Sequence, residues 1–190
     1  VWDADTSGEA ITLEGHQSWI DTASFSPDGN RIVTGSNDTT AKIWDADTGR
    51  EVITLKGHGA GISAAAFSPD GKKIVTGSRD STAKVWDATN GREIIALKGH
   101  SGFVTSAVFS PNGKRIVTGS WDNTAKVWDA TNGREIIVLK GHRKAVTCVG
   151  FSPDGKRIVT GSWDSTAKVW DADTGREVIT LREYFSVQAA

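Results

Sequence analysis

Apolar and polar residues alternate only in short runs along this chain, and each run is bounded by residues that turn the backbone. Within 99–140, Phe103–Phe109 is apolar and small, and Ser110-Pro111-Asn112-Gly113 turns it. Arg115–Thr118 follows, then Gly119-Ser120-Trp121-Asp122-Asn123 turns again into Ala125–Trp128. Asp129-Ala130-Thr131-Asn132-Gly133 makes a third turn before Glu135–Leu139. Val, Ile, Thr and aromatic residues fill the runs, as extended strands prefer. Pro, Asn, Asp and Gly fall where φ must be fixed or positive. The pattern predicts four short antiparallel strands. Ala, Ser, Gly and Val crowd both faces of them, which predicts sheets covered on both sides and closely approached by their neighbours. No helical periodicity of useful length occurs.

This unit recurs without gaps. Gly-His stands at Gly15-His16, Gly57-His58, Gly99-His100 and Gly141-His142, always 42 residues apart. Trp-Asp stands at Trp2, Trp44, Trp86, Trp128 and Trp170 with the same spacing. Four copies follow at 15–56, 57–98, 99–140 and 141–182. Residues 1–14 read as the third-strand end and outer strand of a preceding repeat, so the chain is expected to be cut from a longer array. Residues 183–190, with Tyr184, Phe185 and Val187, form a tail outside the pattern.

A repeat of this length carrying Gly-His, Ser-Pro-Asp-Gly, Gly-Ser-x-Asp and Trp-Asp resembles the WD-repeat β-propellers. The resemblance covers Gly15–Arg182, with Trp2–Glu14 as the tail of a fifth repeat. It implies an all-β propeller of four four-stranded blades, a partial ring that a second chain would complete to eight. Similar arrays resemble the sensor portions of bacterial or fungal signalling proteins.

Each copy holds His, Ser, Asp and Trp at fixed offsets: His16, Ser36, Asp38, Trp44; His58, Ser78, Asp80, Trp86; His100, Ser120, Asp122, Trp128; His142, Ser162, Asp164, Trp170. The trio of His, Ser and Asp has the chemistry of a hydrolase. A structural reading is preferred: a buried hydrogen-bond relay pinning the loop between blades to the second and third strands. An active site is rarely copied four times in one chain, and all four histidines are spent in this position. The family resemblance implies the same role. A second lure is Asp45-x-Asp47-x-Gly49-x-Glu51, repeated from Asp171 to Glu177, which is similar to a calcium loop. Two of the four copies lose the second carboxylate, so the reading is turn chemistry.

Composition narrows the classes. The 190 residues include 22 Lys+Arg and 23 Asp+Glu, for a net charge of −1. A nucleic-acid binder needs a basic footprint, so none is expected. No apolar run is long enough to span a bilayer, and neither a membrane partner nor a secretory segment is read. One cysteine, Cys148, builds no disulfide framework; it reads as a small buried hydrophobe in a cytoplasmic protein. No cofactor and no metal site is expected. Arg143-Lys144 reads as a solvated loop.

Copies differ most just after Gly-His and just before the turn Asp. The resemblance implies three ring-face positions per blade: Trp19, Asp21 and Asn37; Gly61, Ser63 and Arg79; Phe103, Thr105 and Trp121; Ala145, Thr147 and Trp163. Aromatic residues and Arg dominate binding hot spots. The expected function is therefore a non-catalytic scaffold for a protein or peptide partner. The alternative is a glycan- or small-ligand-binding, or hydrolytic, propeller using the central channel. The first and fourth copies keep the interior pattern, Phe25, Ile32 and Val33 against Phe151, Ile158 and Val159, which predicts exposed outer faces and a homodimer.

Overall fold

A computed structural model of the chain describes residues 11–182. Those residues form sixteen strands and no helix, grouped as four antiparallel sheets in chain order. Blade 1 holds β1 (Ile20–Phe25), β2 (Arg31–Ser36), β3 (Ala41–Asp45) and β4 (Glu51–Leu55). Blade 2 holds β5 (Ile62–Phe67), β6 (Lys73–Ser78), β7 (Thr82–Asp87) and β8 (Glu93–Lys98). Blade 3 follows with β9 (Val104–Phe109), β10 (Arg115–Ser120), β11 (Thr124–Asp129) and β12 (Glu135–Lys140). Blade 4 ends with β13 (Val146–Phe151), β14 (Arg157–Ser162), β15 (Thr166–Asp171) and β16 (Glu177–Arg182). The inner strands β1, β5, β9 and β13 neighbour one another from blade to blade. This is the architecture of a partial propeller.

The strand period of two places alternate residues on opposite faces. Phe25, Ile32 and Trp44 stand in register on the back of blade 1, while Val33, Ile43 and Ile53 stand in register on its front. That front packs on the back of blade 2: Val33, Ala41, Ile43 and Leu55 share one core with Ile62, Ala65, Phe67, Ile74, Trp86 and Ala88. The other two seams repeat it. The core thus lies between blades, and each fully buried large side chain contributes about 1.5–3 kcal/mol. Small residues set the spacing. A Cβ on Gly77 would lie 2.7 Å from Val104 Cγ1 of the next blade.

The outer strand of each blade also reaches the next one. Gly91 has φ +73°, and a Cβ there would lie 2.7 Å from Ile53 Cγ2. Ile11 and Leu13 stand in the same places against Gly49 that Ile53 and Leu55 take against Gly91. The described part of the leading remnant therefore sits where a preceding blade's outer strand would sit. The readings for residues 1–10 and for the tail 183–190 fall outside the described residues.

Among the described residues, two faces have no neighbouring blade. Val159 is 46% exposed and Leu181 58%, whereas Val75 and Leu97 are at most 1%. On the back of blade 1, Phe25 is 56% exposed against 8% for Phe67. Of the six residues expected at the outer faces, Phe25 and Val159 are the exposed ones. Val33 and Ile158 are buried because each terminal blade is open on one side alone, whereas Ile32 is buried although it stands on the open back of blade 1. Cys148 corrects the sequence reading: it is exposed, not buried. It points off the front of blade 4, where its equivalent Ala64 has blade 3 to cover it.

Candidate functional site

In every blade the histidine lies between the turn aspartate and a strand threonine. His58 Nδ1 is 2.8 Å from Asp80 Oδ2, and its Nε2 is 2.8 Å from Thr76 Oγ1. Trp86 Nε1 donates to the same Thr76 hydroxyl at 2.8 Å. The pattern repeats with Thr34, Thr118 and Thr160 between His16 and Trp44, His100 and Trp128, and His142 and Trp170. The polarity follows from the end groups. An indole N–H only donates and a carboxylate only accepts, so the threonine donates to Nε2 and the neutral imidazole donates from Nδ1.

The serines expected in the relay stand beside it. Ser78 Oγ donates to Ala60 O at 3.0 Å and accepts from Asp80 N at 3.1 Å. Ser36, Ser120 and Ser162 do the same with Ser18, Gly102 and Lys144. They tie the inter-blade loop to the turn, and the threonine carries the link to tryptophan. Sequence reading missed these threonines because a β-branched residue inside a strand reads as filler. Their signal was a polar residue repeated in every copy at a buried strand position. Among the described residues no buried side-chain N or O is left without a partner.

The electrostatics follow from this wiring. Burial raises the Asp80 carboxyl, but hydrogen bonds from the Thr82 hydroxyl, the Gly59 amide and His58 outweigh it and lower it to about 2. The same opposition leaves Asp38, Asp122 and Asp164 well below the usual carboxylate range. For His58, burial lowers the imidazole below its ordinary 6.5 against the pull of Asp80. Both shifts make acid destabilising. The unfolded chain takes up the His58 proton as pH falls through 6.5, while the fold resists it. The carboxylates stabilise the fold above their ordinary 3.8, and that contribution is lost as pH falls toward 2. Urea unfolding across pH should show stability flat above neutrality, declining below 6.5 and falling steeply below 3.8. Equal stability at pH 7 and pH 3 would contradict the relay.

The turn aspartates of the calcium-like loops are occupied by the turn itself. Asp45 Oδ1 accepts from Thr48 N at 2.8 Å and Thr48 Oγ1 at 2.7 Å, and Asp171 does likewise with Thr174.

The variable positions converge because the backbone joins them. Asn37 N donates to Trp19 O, Arg79 N to Gly61 O, Trp121 N to Phe103 O and Trp163 N to Ala145 O, all at 2.9–3.0 Å. Across the blades the face then divides. Arg79 bonds Asn37 Oδ1 at 3.1 Å and Asp21 Oδ2 at 2.9 Å, a polar clamp over blades 1 and 2. Phe103, Trp121 and Trp163 form a continuous strip over blades 3 and 4, with ring centroids 4.8 and 5.3 Å apart. Trp19 is 79% exposed. Ser63, Thr105 and Thr147 behave differently. Each sits at a β-bulge, which re-aims the side chain. Ser63 and Thr105 hydroxyls donate to Val104 O and Val146 O of the next blade at 2.6 Å. Thr147 reaches Gly161 O at 3.3 Å. The Ser63 and Thr105 hydroxyls serve the seams, and that of Thr147 stays within blade 4.

Four-stranded sheets stacked face to face, each locked by one His–Asp–Thr–Trp relay, define this chain as a β-propeller array. It belongs to the WD40 family: the WD domain, G-beta repeat, matches at residues 9–45, 49–87, 91–129 and 133–171. The last three matches each run from an outer strand through the first three strands of the following blade, so the family frame is offset from the blades. No curated protein matches the chain. Repeats of this family generally build protein–protein interaction scaffolds. Among the described residues, no helix is long and apolar enough to cross a membrane.

Proposed function

We propose that the chain is a non-catalytic signalling scaffold that holds a protein or peptide on its ring face. The observation that carries this reading is the exposed strip of Phe103, Trp121 and Trp163, with Trp19 and Arg79 on the same face. Large aromatics in contact with one another and still exposed leave an apolar patch that a partner would cover. Asp21, Asn37 and Arg79 would flank it as a polar rim, while Ser63 and Thr105 support it from the seams and Thr147 from within blade 4. A channel ligand is less well served, because the axis-side hydroxyls of Ser63 and Thr105 are spent on main-chain carbonyls. Self-association into a two-chain, eight-blade homodimer belongs to the same reading, supported by the open faces of blades 1 and 4. Neither nucleic acid nor membrane is a partner in this reading, which a net charge of −1 supports. A cytoplasmic setting goes with it, since one cysteine leaves the fold independent of disulfides. The test uses peptides selected from a display library against the intact chain. Trp121→Ala and Trp163→Ala should each weaken binding about 30-fold or more with unchanged thermal melting. Unchanged affinity in both variants, or selection of glycans alone on an array, would overturn the reading.

A further inference from the structure

The seams between blades carry a polar grip that the open ends also possess. At the first seam, Arg31 of β2 crosses to blade 2, donating from Nη1 to Ala88 O at 2.9 Å and from Nη2 to Gly71 O at 2.7 Å. At the third, Arg115 of β10 donates to Ala172 O at 2.8 Å and pairs with Asp173 Oδ1 at 2.9 Å. The same position in blade 4 is Arg157, which lies exposed at the front edge with no blade before it. Counting the 42-residue repeat onward around a ring, its counterparts of Ala172 and Asp173 are Ala46 and Asp47 of blade 1, and its counterpart of Gly71 is Gly29.

Those acceptors stand open. Gly29 is exposed where Gly71 is buried, and Ala46 is half-buried where Ala88, Ala130 and Ala172 are buried. The charges are also selective. Arg31 meets Thr89 at the acid's position, and at the middle seam Lys73 faces Thr131. An arginine pairs with an aspartate at the third seam, and the repeat offset sets Arg157 against Asp47 in the same way. The apolar complement is present too, since Val159 matches Val75 and Phe25 matches Phe67, while Leu13, the repeat equivalent of Leu181, holds the seat at Gly49 and must yield it to Leu181 of a docking copy.

We propose that the front of blade 4 docks on the back of blade 1 of a second copy, gripped by Arg157 on the Ala46 and Gly29 carbonyls and the Asp47 carboxylate of that copy. This rests on the self-association reading and adds its orientation and its specificity residues. The contact is head-to-tail, so two copies closing a ring form it twice. The Thr147 hydroxyl then donates to Ile20 O of the second copy, as Ser63 and Thr105 donate to Val104 O and Val146 O.

Light scattering on the 190-residue chain, of 20.2 kDa, tests the proposal. Wild type should run as a dimer of about twice that mass. Arg157→Glu sets two acids against each other at both junctions and should weaken the dimer at least about 100-fold, as should Asp47→Arg. Mixing the two variants should restore the dimer. In the mixed ring one junction is native and the other has the charges exchanged, a rescue that a head-to-tail contact allows. Circular dichroism of each variant checks folding, and Arg157→Gln gives a milder second probe. Dimers as tight as wild type in all three variants would overturn the grip while leaving self-association standing. A wild-type chain that is monomeric at 100-micromolar concentrations, on the order of a weak interface, would overturn both.

Discussion

Trp128→Ala should cost about 3–5 kcal/mol of unfolding free energy. The indole is 1% exposed and lies in the core that joins blades 2 and 3, among Val85, Leu97 and Ile116. Truncation opens a cavity in a seam whose walls are strands fixed by their own ladders, so collapse around it is limited. It also removes the edge contact with His100, whose ring centroid is 6.0 Å away, and the donor that Thr118 accepts. Because the core lies in the seams, the loss should loosen blade 2 from blade 3 rather than unravel one sheet. Urea unfolding at fixed protein concentration measures it. A loss below about 1 kcal/mol, small beside any large-to-small core change, would mean the seam is not the stabilising unit.

Thr118→Val should destabilise by about 2–5 kcal/mol without changing the shape of the core. The side chains are nearly isosteric, and the hydroxyl is the element deleted. Trp128 Nε1–H then has no acceptor and His100 Nε2 no donor, both enclosed. Each stranded buried group costs about 1–3 kcal/mol. Thr118→Ser keeps the hydroxyl and should recover most of the loss. The pair separates wiring from packing: a Val variant as stable as wild type beside a destabilised Ser variant would show that the methyl matters and the relay does not.

The fold was legible because its punctuation is chemical. Ser-Pro-Asp-Gly and the Asp-x-x-x-Gly turns demand backbone conformations few residues supply, and a 42-residue period admits no drift in where they fall. The strand bounds read from residues 103–139 differ from β9 to β12 by one or two positions, as frayed ends usually do. Phe103 lies outside β9 because its carbonyl accepts from Trp121 N instead of continuing the ladder. The relay was half legible. Histidine, aspartate and tryptophan stand out as rare repeated types, whereas Thr118 is camouflaged among strand residues. The seam roles of Ser63 and Thr105 were hidden for a different reason. A bulge turns one residue out of the alternation, and nothing in a strand's own sequence says which neighbour it will face. Cys148 illustrates the remaining limit. Its exposure depends on whether a sheet lies in front of blade 4, a property of the array and not of the residue.

The seating of Ile11 and Leu13 against Gly49 has a kinetic corollary. Four segments of this chain, beginning at Ile11, Ile53, Ile95 and Ile137, present nearly the same side chains to nearly the same cleft. Contact energy alone then gives little sign of which segment belongs where; the order is imposed by covalent connection. During refolding at high concentration that connection competes with equivalent segments from other molecules. Near-degenerate native-like pairings are the source of frustration in a repeat sequence, and exchange between chains is its characteristic error. Slow dilution from denaturant favours the connected pairing, and rapid concentration traps interlinked species whose every local contact is native.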